Sequence, residues 1–572
     1  MLGIPLKEIR ETAGIGQSRL GEGLCDRGVI RTDEEGRGEP EKLFADALVQ
    51  RAGKTMNSYD ILLDGKEYEL VRQRTWIQFC LSRGKLHAAE RAIQDYRVMP
   101  GTDDKLQRQF LAFVNEKLLR RQGASLRSRM EVVCSGMSET FDMKTLSPGV
   151  LEKRVFHLLE LFLLQQYAVL LEEAGRGTEA VCWYEAFARR FGREGQESVD
   201  QHKLYPLIAY RMAGYYGKIG KFQEALPCIK KALELLRCPK LFNGLYAMLK
   251  EMEIKFREKL GEPVAKEEKD VFLQLKKFLW ENGEIRKENY DPVYQESHCY
   301  SVNAMMLERR RLQKRTREGL VGNVCDPRTL ERQEKTGSKL HKRIRKGLFE
   351  ELGLSYLKYD RGIESGDYGD SLIYEQMLQA FDNGGQERAW YLYRKLADKL
   401  DMDKLVNRQF EKYWGTELRF QSGRIGRGER DQNLWEMLGW TMPEEGEEQF
   451  FSCWLTKYER QALISLAWDC EGGEIQRLLP LLKRQLHRNF NPVGQRIVAE
   501  YYDKLLYCIA RGYLKIGDSV RAGQYVTLAV RQGAFGERGL SWGWIFSGRF
   551  PADERFLHLV PFCRGIGEGN VV

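Results

Sequence analysis

Apolar positions along this chain recur at helical spacing, with small residues at fixed places among them. In Ala209–Leu236 the series Ala213, Tyr216, Gly220, Phe222, Ala225, Ile229 and Ala232 advances mostly by three or four positions around a central glycine. Small residues let two helices approach closely, and a glycine lets the chain turn back between them. The pattern predicts a helical hairpin. It returns as Ala510, Tyr513, Gly517, Ala522, Val526 and Ala529, and both hairpins carry Lys-Ile-Gly at the turn, 218–220 and 515–517. Fainter hairpins are predicted at 76–96 (Gly84, Ala89), 164–187 (Gly175, Ala180, Tyr184) and 377–396 (Gly384, Ala389). No alternating strand pattern with turn signals competes with them. The fold class is read as all-α.

Shorter elements open each half. Leu6, Ile9 and Arg10 give a first amphipathic turn, stopped by Gly14, and Gln17–Leu24 gives a second. Asp26 is placed to cap a third helix, because a carboxylate accepts the free amides of a first turn. A fourth helix, Lys42–Arg51, closes on Gly53. Three hundred residues later the text repeats. Leu24-Cys25-Asp26-Arg27 and Val324-Cys325-Asp326-Pro327 begin stretches that align without a gap through Asp60 and Asp360, with eight identities in 37 positions. Arg10/Arg310, Leu20/Leu320 and Tyr68/Tyr368 keep the same offset. In the second copy, Asp326 followed by Pro327 predicts a better-defined third helix, Pro327–Lys335, before a fourth at Lys342–Leu352 closed by Gly353. The repeat divides the chain into 1–60, 61–298, 299–360 and 361–572. A linker is expected in Asn282–Ser301, the acidic run Pro443–Glu448 reads as a loop, and the aromatic tail from Ser541 (Trp542, Trp544, Phe546) reads as a cap on the last helical pair.

Composition narrows the class. Apolar residues make up 42% and charged residues 30% of 572, which fits a folded, water-soluble chain. The most apolar stretch, Val155–Leu171, is interrupted by His157, Glu160, Gln165 and Gln166, so no membrane span is expected. No secretory leader opens the sequence, and a cytoplasmic location is expected. None of the twelve cysteines forms a C-x-x-C pair; Cys80, Cys182 and Cys508 read as buried, reduced thiols. The histidines lack metal-ligand spacing with one another, and neither a metal nor a cofactor is expected. Gly53-Lys54-Thr55 is like the end of a phosphate-binding loop, but Leu48 stands where its first glycine is needed. No nucleophile–base arrangement has motif support, so catalysis is not expected.

Charge separates the two copies. Residues 6–54 hold nine Lys/Arg and ten Asp/Glu, a net of 9 − 10 = −1. Residues 309–346 hold fourteen and four, a net of 14 − 4 = +10, more than the whole chain's excess of +9. An anionic polymer is therefore expected at the second copy.

Leu6-Lys7-Glu8-Ile9-Arg10, Gln17-x-x-Leu20-Gly21-Glu22, Cys25-Asp26-Arg27 and Glu34-x-Gly36-x-x-x-Pro40 resemble the Cro/repressor-type helix-turn-helix. The hairpins resemble tetratricopeptide repeats. Together they look like the peptide-responsive transcription regulators of Gram-positive bacteria, here in tandem. The resemblance implies helix-turn-helix modules joined to α-solenoid arrays and a DNA-binding regulator. Its partners would be double-stranded DNA and a signalling peptide or partner protein in the concave groove, and a homodimer is among the assemblies implied. Groove-facing asparagines clamp peptide in that family, and Asn243 is one asparagine of the first array. The candidate DNA-binding residues are Arg310, Arg311, Arg317, Arg328, Thr329, Arg332, Gln333 and Lys335 in the second copy, with Gln17, Arg27 and Arg31 in the first. Arg328, Arg332 and Gln333 suit base edges, and Thr329 a thymine methyl or phosphate. In the first copy, Asp33-Glu34-Glu35 is expected to repel phosphate, so that copy reads as a packing or dimerisation domain. The alternative is an interaction scaffold whose modules no longer bind DNA.

Overall fold

The computed structural model describes residues 5–56, 59–192, 199–237, 245–281, 294, 298–443, 446–489 and 499–533. Most of the expected linker, positions 444–445, Asn243 and the aromatic tail lie outside the described residues. Among the described residues are 28 α-helices and three short strands, and consecutive helices pack in pairs as an α-solenoid. The architecture is all-α.

The first half begins with four short helices: α1 (Leu6–Thr12), α2 (Gln17–Gly21), α3 (Arg27–Glu34) and α4 (Lys42–Arg51). Strand β1 (Asp60–Leu63) follows, then the array α5 (Gly65–Ser82), α6 (Leu86–Arg97), α7 (Lys105–Arg121), α8 (Leu126–Ser138), α9 (Val150–Lys153), α10 (Leu158–Glu173), α11 (Gly177–Gly192), α12 (Val199–Lys218), α13 (Phe222–Arg237), α14 (Leu245–Lys259) and α15 (Lys266–Glu281). The second half enters through β2 (Cys299–Ser301). It continues with α16 (Val302–Leu312), α17 (Arg317–Val321), α18 (Pro327–Thr336), α19 (Lys342–Glu351) and β3 (Tyr359–Asp360). Its array is α20 (Tyr368–Asp382), α21 (Gln386–Ala397), α22 (Leu405–Gln421), α23 (Arg427–Gly439), α24 (Glu447–Phe450), α25 (Lys457–Asp469), α26 (Gly473–Asn489), α27 (Ala499–Lys515) and α28 (Ser519–Gly533). The bounds of α2, α4, α6 and α7 recur in α17, α19, α21 and α22 with an offset of 300.

Local chemistry sets these boundaries. The Asp64 and Asp104 carboxylates accept the Glu67 and Gln107 amides and start α5 and α7. His157 with Glu160, and Thr456 with Glu459, form capping boxes that start α10 and α25. At the predicted hairpin turns, Gly220 and Gly517 sit at φ 74° and 81°, the left-handed region that other residues rarely enter.

Three expectations are corrected. Asp26 stands at the N-cap of α3, yet its side chain accepts no amide there, whereas Asp326 accepts Arg328 N. Cys182 is exposed, unlike Cys80 and Cys508. Strands also occur: β1 lies between β2, parallel to it, and β3, antiparallel to it. Segments of two to four residues are too short to show alternation, and all four positions of β1 are buried. The small sheet joins the halves. Tyr294, from the expected linker, is buried in the first half, where its hydroxyl donates to Asp46 at 2.8 Å. Among the described residues no helix is long and apolar enough to cross a membrane.

One apolar core runs from Leu6 through both arrays. A second lies inside the α16–α19 module, built on Met305, Met306, Leu320, Leu330, Leu348 and Phe349, with Leu62 of β1 and Trp454 of the second array completing it.

Candidate nucleic-acid interface

The third helix of each module is fixed from below. In α18, Asp326 caps the first turn at 2.7 Å, Pro327 occupies the first helical position, and Gly337 leaves the helix at φ 63°. One face of α18 carries Leu330, Gln333 and Glu334 inward, all buried. Arg328, Arg332 and Lys335, one turn apart, stand on the other face and are exposed. The amphipathic pattern thus buries one side of the helix and turns a cationic side to solvent.

A buried ion pair of the same form locks each module. Arg310 meets Glu334 through Nε at 2.6 Å and Nη2 at 3.1 Å, and its Nη1 donates to the Arg315 carbonyl at 2.9 Å. Arg10 does the same with Glu34, at 2.5 and 3.1 Å, and with the Ile15 carbonyl at 2.9 Å. Arg317 adds a donor to Glu334 at 2.8 Å, and Gln17 adds one to Glu34 at 2.7 Å. Burial alone would raise the pKa of Glu334; the hydrogen bonds from Arg310 and Arg317 hold it below its ordinary value.

These contacts redistribute the sequence-predicted residues. Arg310 and Gln333 leave the candidate surface. The first is spent on Glu334, and the second is 1% exposed with both amide atoms unpartnered by the protein. Arg317 and Gln17 point to the internal glutamates, and Arg27 donates to Gln17 at 2.9 Å, so these three act as braces. Thr329 is half-buried, Lys335 pairs with Glu331 at 2.7 Å, and Arg31 pairs with Glu35 at 2.8 Å. Arg311, Arg328 and Arg332 remain exposed with no ion pair to any described carboxylate. The first copy changes most. Glu34 lies inside the Arg10 pair, Asp33 is half-buried with a pKa pushed up to about 6 by desolvation, and Glu35 is held by Arg31 and Arg37. The three carboxylates therefore do not form the expected acidic wall.

Sequence reasoning named three other cations only in the charge count. Lys314, Lys342 and Arg343 are exposed and lack a carboxylate partner among the described residues. With Arg311, Arg328 and Arg332 they make six unneutralised charges on α16, α18, α19 and the α16–α17 turn.

Each module is docked on its array through a buried glutamate in a capping box. Arg51 of α4 reaches Glu160 at 2.6 Å and also donates to the Leu20 and Glu22 carbonyls. In the second half, Arg309 of α16 pairs with Glu459 and lies 5.3 Å over the Phe450 ring. The two glutamates hold the same place in their capping boxes, but the arginines come from different helices. Arg309, an arginine where the first copy has Ile9, thus has a buried partner.

The modules also meet each other. Lys339 pairs with Glu39 at 2.6 Å and Lys342 donates to the Gly36 carbonyl at 3.3 Å, while Lys358 reaches past the first module to Glu67 of α5 at 2.8 Å. The second module also touches the first array: Gly65 N, at the start of α5, donates to the Gly337 carbonyl at 2.9 Å, a contact with no room for a Cβ on either glycine. Between the second module and the first half lies a cavity of about 20 Å³, lined in part by Glu39, Glu67, Gln333, Lys339, Arg345 and Lys358.

No family model and no curated protein matches the chain. Among solved structures it is similar to Bacillus thuringiensis PlcR in complex with the peptide PapR7 and DNA, at 12% identity and a TM-score of 0.30, over 50% of this chain and 99% of that one.

Proposed function

We propose that this chain is a DNA-binding transcription regulator of the Cro/repressor type, built as a tandem repeat, in which the second four-helix module grips the duplex. The observation that carries the reading is the outer face of α18. Arg328 and Arg332 stand exposed there without an ion pair to any described carboxylate, on a compact module with its own core, beside four further cations that lack one. Guanidinium groups on such a helix suit guanine edges in a major groove, and the flanking cations suit phosphate. The helical arrays would take up a peptide or protein signal. Buried docking pairs, Arg51–Glu160 and Arg309–Glu459, support a path by which a change in array curvature moves the modules.

The test compares duplex affinity of the wild type, of Arg328→Ala/Arg332→Ala, and of Arg127→Ala, a control cation on the first array. A loss of about tenfold or more in the double variant alone is expected. Equal affinity for all three proteins, or no binding, would favour an interaction scaffold instead.

A further inference from the structure

Near the twofold axis of a symmetric dimer, a residue meets its own copy across the interface. Three residues of the first half meet their counterparts 300 positions on in this way. Asp60 stands opposite Asp360 in the antiparallel ladder. The Tyr59 and Tyr359 rings meet edge to face, 6.5 Å between centroids. Glu39 takes the Lys339 ammonium at 2.6 Å. One chain therefore holds two four-helix modules about a pseudo-twofold axis, as two subunits hold theirs in a dimeric helix-turn-helix protein.

The outward faces of the two third helices differ. In α18 they carry Arg328, Arg332 and half-buried Thr329; in α3 the exposed positions are Arg27, Gly28, Val29 and Arg31, with Val29 44% exposed. Positions 28 and 29 offer no hydrogen-bond donor from a side chain, only a glycine surface and two methyl groups.

We propose that both modules read one duplex together, and that the target is non-palindromic: a guanine-bearing half-site under α18 and a thymine-bearing half-site under α3, one helical turn apart. This rests on the DNA-binding reading of α18 given above. Arg328 and Arg332 present paired donors for guanine O6 and N7, while Val29 packs on a thymine methyl. Spacing follows from reach. From the centre of α3 to Gly36, through the Lys342 side chain and back to the centre of α18 is at most about 50 Å of helix and chain. One helical turn, about 34 Å, fits within that limit, and two turns do not.

The experiment selects duplexes from a random library with the full-length chain. It then measures affinity for the selected site, for the site with five base pairs inserted between its halves, and for Val29→Asp. The expected consensus is two-part and asymmetric. The insertion turns one half-site to the far side of the helix and lowers affinity about tenfold or more, to that of a single half-site. Val29→Asp, with an unchanged circular dichroism spectrum, lowers affinity for the whole site and erases preference at the thymine half. A palindromic consensus overturns the proposal. So does a single half-site whose affinity ignores both the insertion and Val29→Asp, while binding through α18 stands. If no duplex is selected, both readings fall.

Discussion

At position 33 and its counterpart 333, a helix that should turn an apolar side chain inward presents a polar one. Asp33 is half-buried with Oδ2 unpartnered and its pKa pushed up to about 6 by desolvation; Gln333 is buried with neither amide atom satisfied by the protein. Above pH 6 the native state holds a charge that the unfolded chain solvates better, so Asp33 opposes folding. The native group binds its proton more tightly than the unfolded one, so this penalty shrinks as pH falls from 6 toward 4. Asp33→Asn should therefore stabilise the protein at pH 7 by on the order of 1 kcal/mol, discounted for the side chain's partial exposure. The gain should vanish near pH 4 in urea titrations. Glu334 has the opposite sign. Its pKa is held down in the folded state, so its contribution is complete above the ordinary carboxylate value and is lost as pH falls through the lower folded one. Glu334→Ala strands Arg310 and Arg317 and should cost about 3 kcal/mol at pH 7, read from the denaturation midpoint.

At the scale of elements, much was legible because it is local. The Asp326-Pro327 start of α18, the Gly53 and Gly353 ends of the fourth helices, and the glycine-turned hairpins follow from capping and backbone preference over a few residues. The inward partner of Arg310 had a signal too: Arg10/Arg310 and Glu34/Glu334 are opposite charges kept in both copies, 24 residues apart. Pairings across long separations had none. Arg309 meets Glu459 150 residues on, and nothing local distinguishes a docking arginine from one free to bind phosphate. A double-mutant cycle tests that docking. Arg309→Met alone should cost about 3 kcal/mol by leaving Glu459 buried and charged. Arg309→Met with Glu459→Gln, which keeps the capping box, should recover most of that loss. Additive losses would mean that the pair does not dock the module.

Across the whole molecule, the halves are joined by contacts of few residues. The sheet is three strands wide; Asp60 of β1 pairs with Arg460 of α25 at 2.5 Å; and Gly337 touches Gly65 backbone to backbone. Gly337→Ala adds a Cβ less than 3 Å from Gly65 at a left-handed φ. It should lower stability by about 1–2 kcal/mol and loosen the second module from α5 of the first array, seen as faster amide exchange in β1. Whether the chain acts on nucleic acid at all depends on the six exposed cations that no carboxylate among the described residues neutralises. Their effect is measurable as the slope of log affinity for duplex DNA against log salt concentration. If all six displace counterions, the wild-type slope is about −5, and Arg311→Ala/Arg343→Ala flattens it by about 2. A slope near zero, or one that the double variant leaves unchanged, would contradict the account.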